Sequence, residues 1–148
     1  SVFTLRHDGA TSSAEFSADG SLALTSSSDG SAKLWKTSTG DCIHTMTMHG
    51  SAITRATFSR DASLVLIAYE DGAARIWNAK TGKRQQTFAG HEQLLNVACF
   101  SPDESQLLTA AEDGIAAVWD VKTRKVLQRF PCDPVGPAIF SPDGSAVF

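Results

Sequence analysis

The sequence repeats itself with a step of 42 residues, and this repeat limits the folds open to the chain more than any other feature. Five kinds of residue keep the step through three copies: His7, His49 and His91; Phe16, Phe58 and Phe100; Asp29, Asp71 and Asp113; Gly30, Gly72 and Gly114; and Trp35, Trp77 and Trp119. A chain of such copies stacks equivalent units side by side. A period in the low forties is typical of β-propeller blades, each made of four short strands.

The third copy has the pattern expected of one four-stranded antiparallel blade. Short runs rich in apolar and β-branched residues predict strands at Val97–Phe100, Gln106–Ala110, Ile115–Trp119 and Lys125–Phe130. A Ser-Pro-Asp turn follows the first of them, and Asp113–Gly114 favours a tight hairpin between the second and third. No segment has sustained helical spacing of apolar residues. The sequence therefore predicts an all-β propeller with four-stranded antiparallel blades.

The repeat divides residues 1–148 into one propeller segment. Complete units are predicted at residues 7–48, 49–90 and 91–132, and residues 133–148 begin a fourth. Residues 1–6 align with the outermost strand of a preceding blade, so we expect a strand at Val2–Arg6. Either the two ends meet in a ring of four blades, or the segment is part of a larger ring. We favour the larger ring because the sequence stops within a predicted strand; the open blade edges could also support self-association.

Composition and cysteine spacing exclude several classes of protein. A net charge of −3 argues against a general nucleic-acid binder, which needs a basic surface. The sequence has no apolar run of about 18 residues that could span a bilayer. Cys42, Cys99 and Cys132 show no paired spacing, so we expect no disulfide framework and an intracellular location, cytoplasmic or nuclear.

The usual catalytic and metal-binding motifs are absent from the sequence. It has no Gly-x-Ser-x-Gly nucleophile elbow, no His-Glu-x-x-His and no paired Cys-x-x-Cys. The His and Asp residues of the repeat could suggest acid–base catalysis. They recur in three equivalent places, however, whereas an active site is normally unique. The sequence therefore predicts a protein that is not an enzyme and that uses neither a metal nor a cofactor.

Together these motifs resemble the WD-repeat family of β-propellers, over essentially the whole sequence. An intact Gly90-His91 pair stands where the second unit meets the third, the third unit has an intact Trp119-Asp120 end, and a Phe-Ser-Pro-Asp-Gly turn stands at Phe140–Gly144. The resemblance implies a structural tetrad in each blade, in which a histidine, a serine or threonine, an aspartate and a tryptophan are hydrogen-bonded in series.

The three units match this tetrad to different degrees. The first supplies all four members, as His7, Ser27, Asp29 and Trp35. The second has His49, Asp71 and Trp77 with Tyr69 at the hydroxyl position, and the third has His91, Asp113 and Trp119 with Ala111 there. Because buried polar groups need partners, we expect a shorter or water-bridged network in the third blade.

The resemblance also implies a partner-binding surface on the top rim of the propeller. Family members commonly contact partners through the positions three and five residues after the repeat histidine and the position before the turn aspartate. The corresponding residues are Ala10, Ser12 and Ser28; Ala52, Thr54 and Glu70; Leu94, Asn96 and Glu112; and, in the fourth unit, Pro134 and Gly136. Glu70, Glu112 and Leu94 would make an acidic, partly apolar rim for a partner that carries Lys or Arg.

The sequence therefore predicts a non-enzymatic protein–protein interaction scaffold, a WD-repeat subunit of a large multi-protein complex. The alternative is an RNA- or nucleoprotein-associated subunit that uses the basic turns before the outermost strands: Lys80, Lys83, Arg84, Lys122, Arg124 and Lys125. Acidic residues such as Asp61 and Asp103 lie in the other turns of that face, and no aromatic residues interleave for base stacking. This mixture of charges favours a protein partner.

Overall fold

The computed structural model describes residues 2–132 and 138–147, so Pro134 and Gly136 lie outside the described residues. Its strands are β1 (Thr11–Phe16), β2 (Leu22–Ser27), β3 (Ser31–Lys36), β4 (Cys42–Thr47), β5 (Ile53–Phe58), β6 (Leu64–Tyr69), β7 (Ala73–Asn78), β8 (Arg84–Ala89), β9 (Leu95–Phe100), β10 (Gln106–Ala111), β11 (Ile115–Asp120) and β12 (Val126–Pro131). The described residues include no helix that could cross a membrane.

The strands form three four-stranded antiparallel sheets, in which each strand pairs with the next along the chain. We call them blade 1 (β1–β4), blade 2 (β5–β8) and blade 3 (β9–β12). Asp-Gly turns join the second and third strands of each blade; Gly30, at φ 81°, adopts a left-handed conformation that costs glycine little. The predicted all-β architecture is confirmed, and the strands predicted in the third copy begin and end within two residues of the observed ones.

The apolar core lies in the seams between neighbouring blades. Leu24 and Leu34 of blade 1 are almost completely buried in one cluster with Trp77 of blade 2. In the next seam, Phe88 of blade 2 contacts Trp119 of blade 3 edge to face, with ring centroids 5.9 Å apart. Each of these tryptophans therefore packs towards the preceding blade, and the repeat of the sequence becomes a repeat of the interface.

The outermost strand of each blade carries a β-bulge. In blade 1, Leu34 pairs with His44 and Trp35 pairs with Cys42, which leaves Ile43 as the extra residue. Blades 2 and 3 shift register at the equivalent position, between Ile76 and Trp77 and between Val118 and Trp119. A bulge twists an edge strand and hinders pairing with another chain.

The prediction of a strand at Val2–Arg6 is wrong, since these residues have no regular secondary structure. An outermost strand pairs with the third strand of its own blade, and the described residues contain no such strand ahead of β1. Phe3 instead packs onto blade 1, where a Cβ atom placed on Gly40 would lie 2.6 Å from the Phe3 ring. At the other end, the described part of the fourth unit contributes one antiparallel bridge, between Phe140 and Val147.

A Ser-x-Asp-x-Ser turn joins the first and second strands of each blade and defines the bottom edge of the sheets. In blade 3, Ser101 Oγ donates to Asp103 Oδ1 at 2.6 Å, and the Ser105 hydroxyl donates to Asp103 Oδ2 at 2.7 Å. These hydrogen bonds lower the pKa of Asp103. The opposite edge carries the histidine loops and the Asp-Gly turns, and we call it the top edge.

Candidate functional site

A hydrogen-bond network below the top edge of blade 3 joins four side chains. Asp113 Oδ2 lies 3.0 Å from His91 Nδ1, His91 Nε2 lies 2.8 Å from Thr109 Oγ1, and Trp119 Nε1 donates to Thr109 Oγ1 at 2.8 Å. A carboxylate can only accept, so the imidazole presents its Nδ1 hydrogen to Asp113. Although partial burial opposes ionisation, the hydrogen bond from His91 holds the pKa of Asp113 below its usual value.

Blade 1 has a variant of the same network. His7 Nε2 lies 2.7 Å from Thr25 Oγ1, which also accepts the Trp35 indole N–H at 2.7 Å. On the other side of the imidazole, Ser31 Oγ lies 3.0 Å from His7 Nδ1 and donates to Asp29 at 2.6 Å. Burial of the imidazole is the main cause that lowers the pKa of His7, so His7 is neutral at pH 7.

The hydroxyl of these networks is a threonine two residues before the predicted position. Trp35 pairs with Ala23 across β2 and β3, and its indole reaches Thr25, which lies two residues further along β2 on the same face. The Ser27 hydroxyl has a different role, because it accepts the Asp29 backbone N–H at 3.2 Å. In blade 3, Thr109 has the role of Thr25, so Ala111 does not shorten the network. The expectation of an incomplete third network was therefore wrong. The alternation of side chains along a strand could have identified both threonines in the sequence.

Blade 2 departs from this arrangement, although it has the same histidine, aspartate and tryptophan letters. Ile67 stands where the other blades have threonine, and the Asp71 carboxylate binds the guanidinium of Arg75 through two hydrogen bonds of 3.0 and 2.6 Å. The Arg75 Cζ lies 4.5 Å from the centroid of the Tyr69 ring. His49 is exposed rather than part of a network. The predicted tetrad of His49, Asp71 and Trp77 is therefore not formed, because isoleucine offers no hydroxyl and arginine takes the aspartate.

The predicted rim positions come together in pairs at the top edge. The backbone N–H of the residue before the turn aspartate donates to the carbonyl of the residue three after the histidine, at 2.9–3.0 Å in every blade: Ser28 to Ala10, Glu70 to Ala52 and Glu112 to Leu94. These bonds extend the ladder between the first two strands of a blade by one step. The rim positions therefore stand on backbone that is fixed by the sheet.

The side chains at these positions differ in their freedom. Ser12 Oγ lies 2.8 Å from Ser26 Oγ, and the Thr54 hydroxyl donates to the Ala68 carbonyl at 3.3 Å. Ala52, Thr54 and Leu94 are half-buried, whereas Ser28, Glu70, Asn96 and Glu112 are exposed. Neither Glu70 nor Glu112 forms a salt bridge within the described residues. Among the predicted rim positions, the two glutamates are therefore the charged side chains, and both are exposed.

Close backbone packing joins the top edges of neighbouring blades. Gly72, directly after the turn aspartate of blade 2, has φ +77°, and a Cβ atom there would lie 2.6 Å from the His91 carbonyl oxygen of blade 3. In blade 1, a Cβ atom on Gly30 would lie 3.0 Å from the carbonyl oxygen of Ser51, in the loop that leads to blade 2. The turn that carries Glu70 therefore lies directly against the loop that leads to Leu94. Sequence reasoning did not place the exposed residues His49 and Glu92 on this edge.

The described residues contain no group of three or more His, Cys, Asp and Glu side chains that could hold a metal ion. Cys42 and Cys99 form no disulfide. The histidine–aspartate pairs lie within the blades, where their hydrogen bonds connect the strands of one sheet. This arrangement stabilises the sheets, and it leaves the exposed top edge as the candidate site.

Comparison with known proteins agrees with this repeating architecture. No curated protein matches the chain. The family model described as WD domain, G-beta repeat matches residues 1–36, 40–78 and 82–120. The second and third matches begin near the outermost strand of one blade and end with the third strand of the next. Because the matched segments cover well over half of the 148 residues, the chain belongs to the WD-repeat family.

Proposed function

We propose that this chain is a scaffold subunit of a multi-protein assembly and that the top edge of blades 2 and 3 binds a partner segment carrying Lys or Arg. WD-repeat domains are in general non-enzymatic modules for protein interaction. The observation that carries the finer proposal is the placement of Glu70 and Glu112. They are exposed, they hold equivalent positions on adjacent blades, and a backbone hydrogen bond fixes each one.

The chemistry of this edge favours a cationic partner with an apolar contact residue. Charged groups at the rim of an interface mainly set orientation and association rate. Leu94 lies between the two glutamates in sequence and is half-buried, so it supplies apolar area. The reduced state of Cys42 and Cys99 supports our proposal of an intracellular location, which fractionation of cells would test.

The alternative, an RNA-associated subunit, gains no specific support. The basic turns before β8 and β12 lie at the bottom edge, where the Val121 backbone N–H donates to the Ser105 carbonyl beside the Asp103 turn. Hydrogen bonds from serine hydroxyls and backbone amides keep the pKa of Asp103 below its usual value, so this turn is negatively charged at neutral pH. Phosphate groups would meet mixed charges there, which favours a protein partner.

The test is affinity capture from cells with quantitative mass spectrometry, using the full-length protein that contains this chain. Glu70→Lys and Glu112→Lys, singly and together, should each deplete the same partner while the melting temperature changes little. Asp41→Lys is the matched control, because Asp41 is an exposed carboxylate in the β3–β4 turn at the bottom edge. Unchanged capture by the double variant, or equal depletion by Asp41→Lys, would contradict the proposed rim.

A further inference from the structure

The histidine loop of blade 2 is attached to its Asp-Gly turn differently from the loops of blades 1 and 3. In those two blades, a carboxylate oxygen of the turn aspartate accepts the backbone N–H of the residue after the histidine: Asp29 from Asp8 at 3.0 Å, and Asp113 from Glu92 at 3.2 Å. In blade 2, Arg75 donates to both carboxylate oxygens of Asp71, at 3.0 and 2.6 Å. The arginine therefore takes the acceptor that holds the histidine loop in the other blades.

The residues at the position of Arg75 explain why the other aspartates stay available. In blade 1 this position is Lys33, whose ammonium group donates to the Arg6 carbonyl at 2.8 Å instead of to the aspartate. In blade 3 it is Ala117, which has no donor on its side chain. Arg75 is buried, and its guanidinium also lies over the Tyr69 ring. Blade 2 alone among the three thus holds a buried cation against its turn aspartate.

The backbone of the loop in blade 2 changes in the same region. Gly50, the residue after His49, has φ +87°, a conformation that glycine adopts more readily than other residues. Asp8 and Glu92 hold this position in the other blades and lie outside the left-handed region. The Gly50 N–H has no hydrogen-bond partner among the described residues. The loop therefore follows a different path, on which its amide does not reach Asp71.

This path keeps His49 within the top edge. A Cβ atom on Gly30 of blade 1 would lie 3.0 Å from the Ser51 carbonyl oxygen on one side of the loop. On the other side, the N–H of Asp71, which directly follows Glu70, donates to Ser51 Oγ at 3.1 Å. His49 is exposed, and its side chain has no hydrogen bond within the part of the chain that the structure describes. His49 therefore belongs to the loop between the blade 1 turn and the turn that carries Glu70.

We infer that Arg75 is a positioning residue that keeps His49 at the top edge, where the imidazole contacts the cationic partner segment. The inference rests on the proposed function of this edge. Arg75 holds Asp71, and Ile67 offers no hydroxyl, so neither acceptor of the other blades is available to the imidazole. A neutral imidazole has one nitrogen lone pair that accepts a hydrogen bond from Lys or Arg, as the Glu70 carboxylate also can.

Affinity capture with the full-length protein tests the contact. His49→Ala should lower recovery of the partner by roughly fivefold or more, without a change in melting temperature. His49→Gln keeps an acceptor and should retain more of the partner than His49→Ala. Gln85→Ala is the control, because Gln85 is the exposed extra residue of the β8 bulge, near the bottom edge. Wild-type recovery by His49→Ala, or an equal loss in Gln85→Ala, would overturn the inference.

Exchanging residues between blades tests the role of Arg75. The double variant Ile67→Thr, Arg75→Ala gives blade 2 the residues that blade 3 has at these positions. In its crystal structure, the His49 imidazole should lie within roughly 2.7–3.2 Å of Asp71, and partner recovery should fall to that of His49→Ala. An exposed imidazole with wild-type recovery would contradict the inference. If the variant does not fold, hydrogen exchange of the wild type decides: the Gly50 amide should exchange faster than the Glu92 amide, and equal protection would refute the altered attachment.

The same capture assay separates failure of this inference from failure of the proposed function. Loss of the partner in Glu70→Lys and Glu112→Lys, with full recovery by His49→Ala, would overturn only the role of His49. Full recovery by all three variants would contradict both the acidic rim and the imidazole contact.

Discussion

Replacing Thr109 with valine should destabilise the protein, because the threonine hydroxyl is the centre of the blade 3 network. The substitution keeps the shape of the side chain but removes the partner of Trp119 Nε1 and of His91 Nε2, each 2.8 Å away. Thr109 and both partners are at least 92% buried. An unsatisfied buried group costs about 1–3 kcal/mol, so two of them predict a loss of roughly 2–6 kcal/mol in the free energy of unfolding. Urea denaturation with linear extrapolation measures this quantity.

Two control variants determine whether the loss comes from the hydroxyl. Ile67→Val changes the equivalent position of blade 2 without removing a polar group, and it should cost about 0.5–1.5 kcal/mol. Ser27→Ala removes a hydroxyl that accepts a backbone N–H at 3.2 Å, and it should cost about 1 kcal/mol or less. If Thr109→Val costs no more than Ile67→Val, or if Ser27→Ala costs as much as Thr109→Val, the role of the threonine is refuted.

Three further measurements test the network and the contacts of the top edge. His91→Ala should lower the unfolding free energy by roughly 2–3 kcal/mol, whereas His49→Ala, at an exposed position, should stay within about 0.5 kcal/mol of the wild type; equal losses in urea denaturation would disprove this difference. Gly20→Ala should lower the free energy of unfolding by about 1 kcal/mol, because alanine is strained at the positive φ of this position. Gly72→Ala should cost roughly 1–3 kcal/mol more, because its Cβ atom would also clash with the His91 carbonyl oxygen. Equal melting temperatures of the two variants would disprove this contact. The His7 imidazole should titrate below pH 6.5 by NMR, and titration at or above pH 6.5 would contradict its burial. The free energy of unfolding should fall as the pH drops below 6.5, because the unfolded state takes up a proton there before the folded state does.

The repeat predicts the blades well because strand formation and seam packing depend on the residues that recur. Trp77 and Trp119 keep the same period as the seams that they fill, so their spacing reports the interface as well as the strand. Val2–Arg6 failed as a strand for a related reason: a strand needs a neighbour, and sequence similarity to an outermost strand supplies none. The residues of Val2–Arg6 favour an extended strand, but a strand forms only where a neighbouring strand pairs with it.

The rim positions could be placed from the sequence, but the state of their side chains could not. Ser12 and Glu70 come from the same family pattern, yet the Ser12 hydroxyl bonds to Ser26 while Glu70 projects into solvent. That difference depends on which serines face each other across β1 and β2. A period of 42 residues does not contain this information, because Thr54 and Asn96 replace Ser12 in the other copies.

Blade 2 shows that a recurring letter does not fix a role in a repeat protein. His49, Asp71 and Trp77 hold their places in the sequence, but the imidazole needs an acceptor or donor at position 67 and a carboxylate that is not otherwise engaged. Ile67 has no hydroxyl to bond with the imidazole. The Asp71 carboxylate is already bound by the Arg75 guanidinium through two hydrogen bonds. The two changes lie directly opposite each other across β6 and β7, so they act as one exchange of partners. His49 is exposed as a result, whereas His7 and His91 are held by the hydrogen-bond networks of their blades.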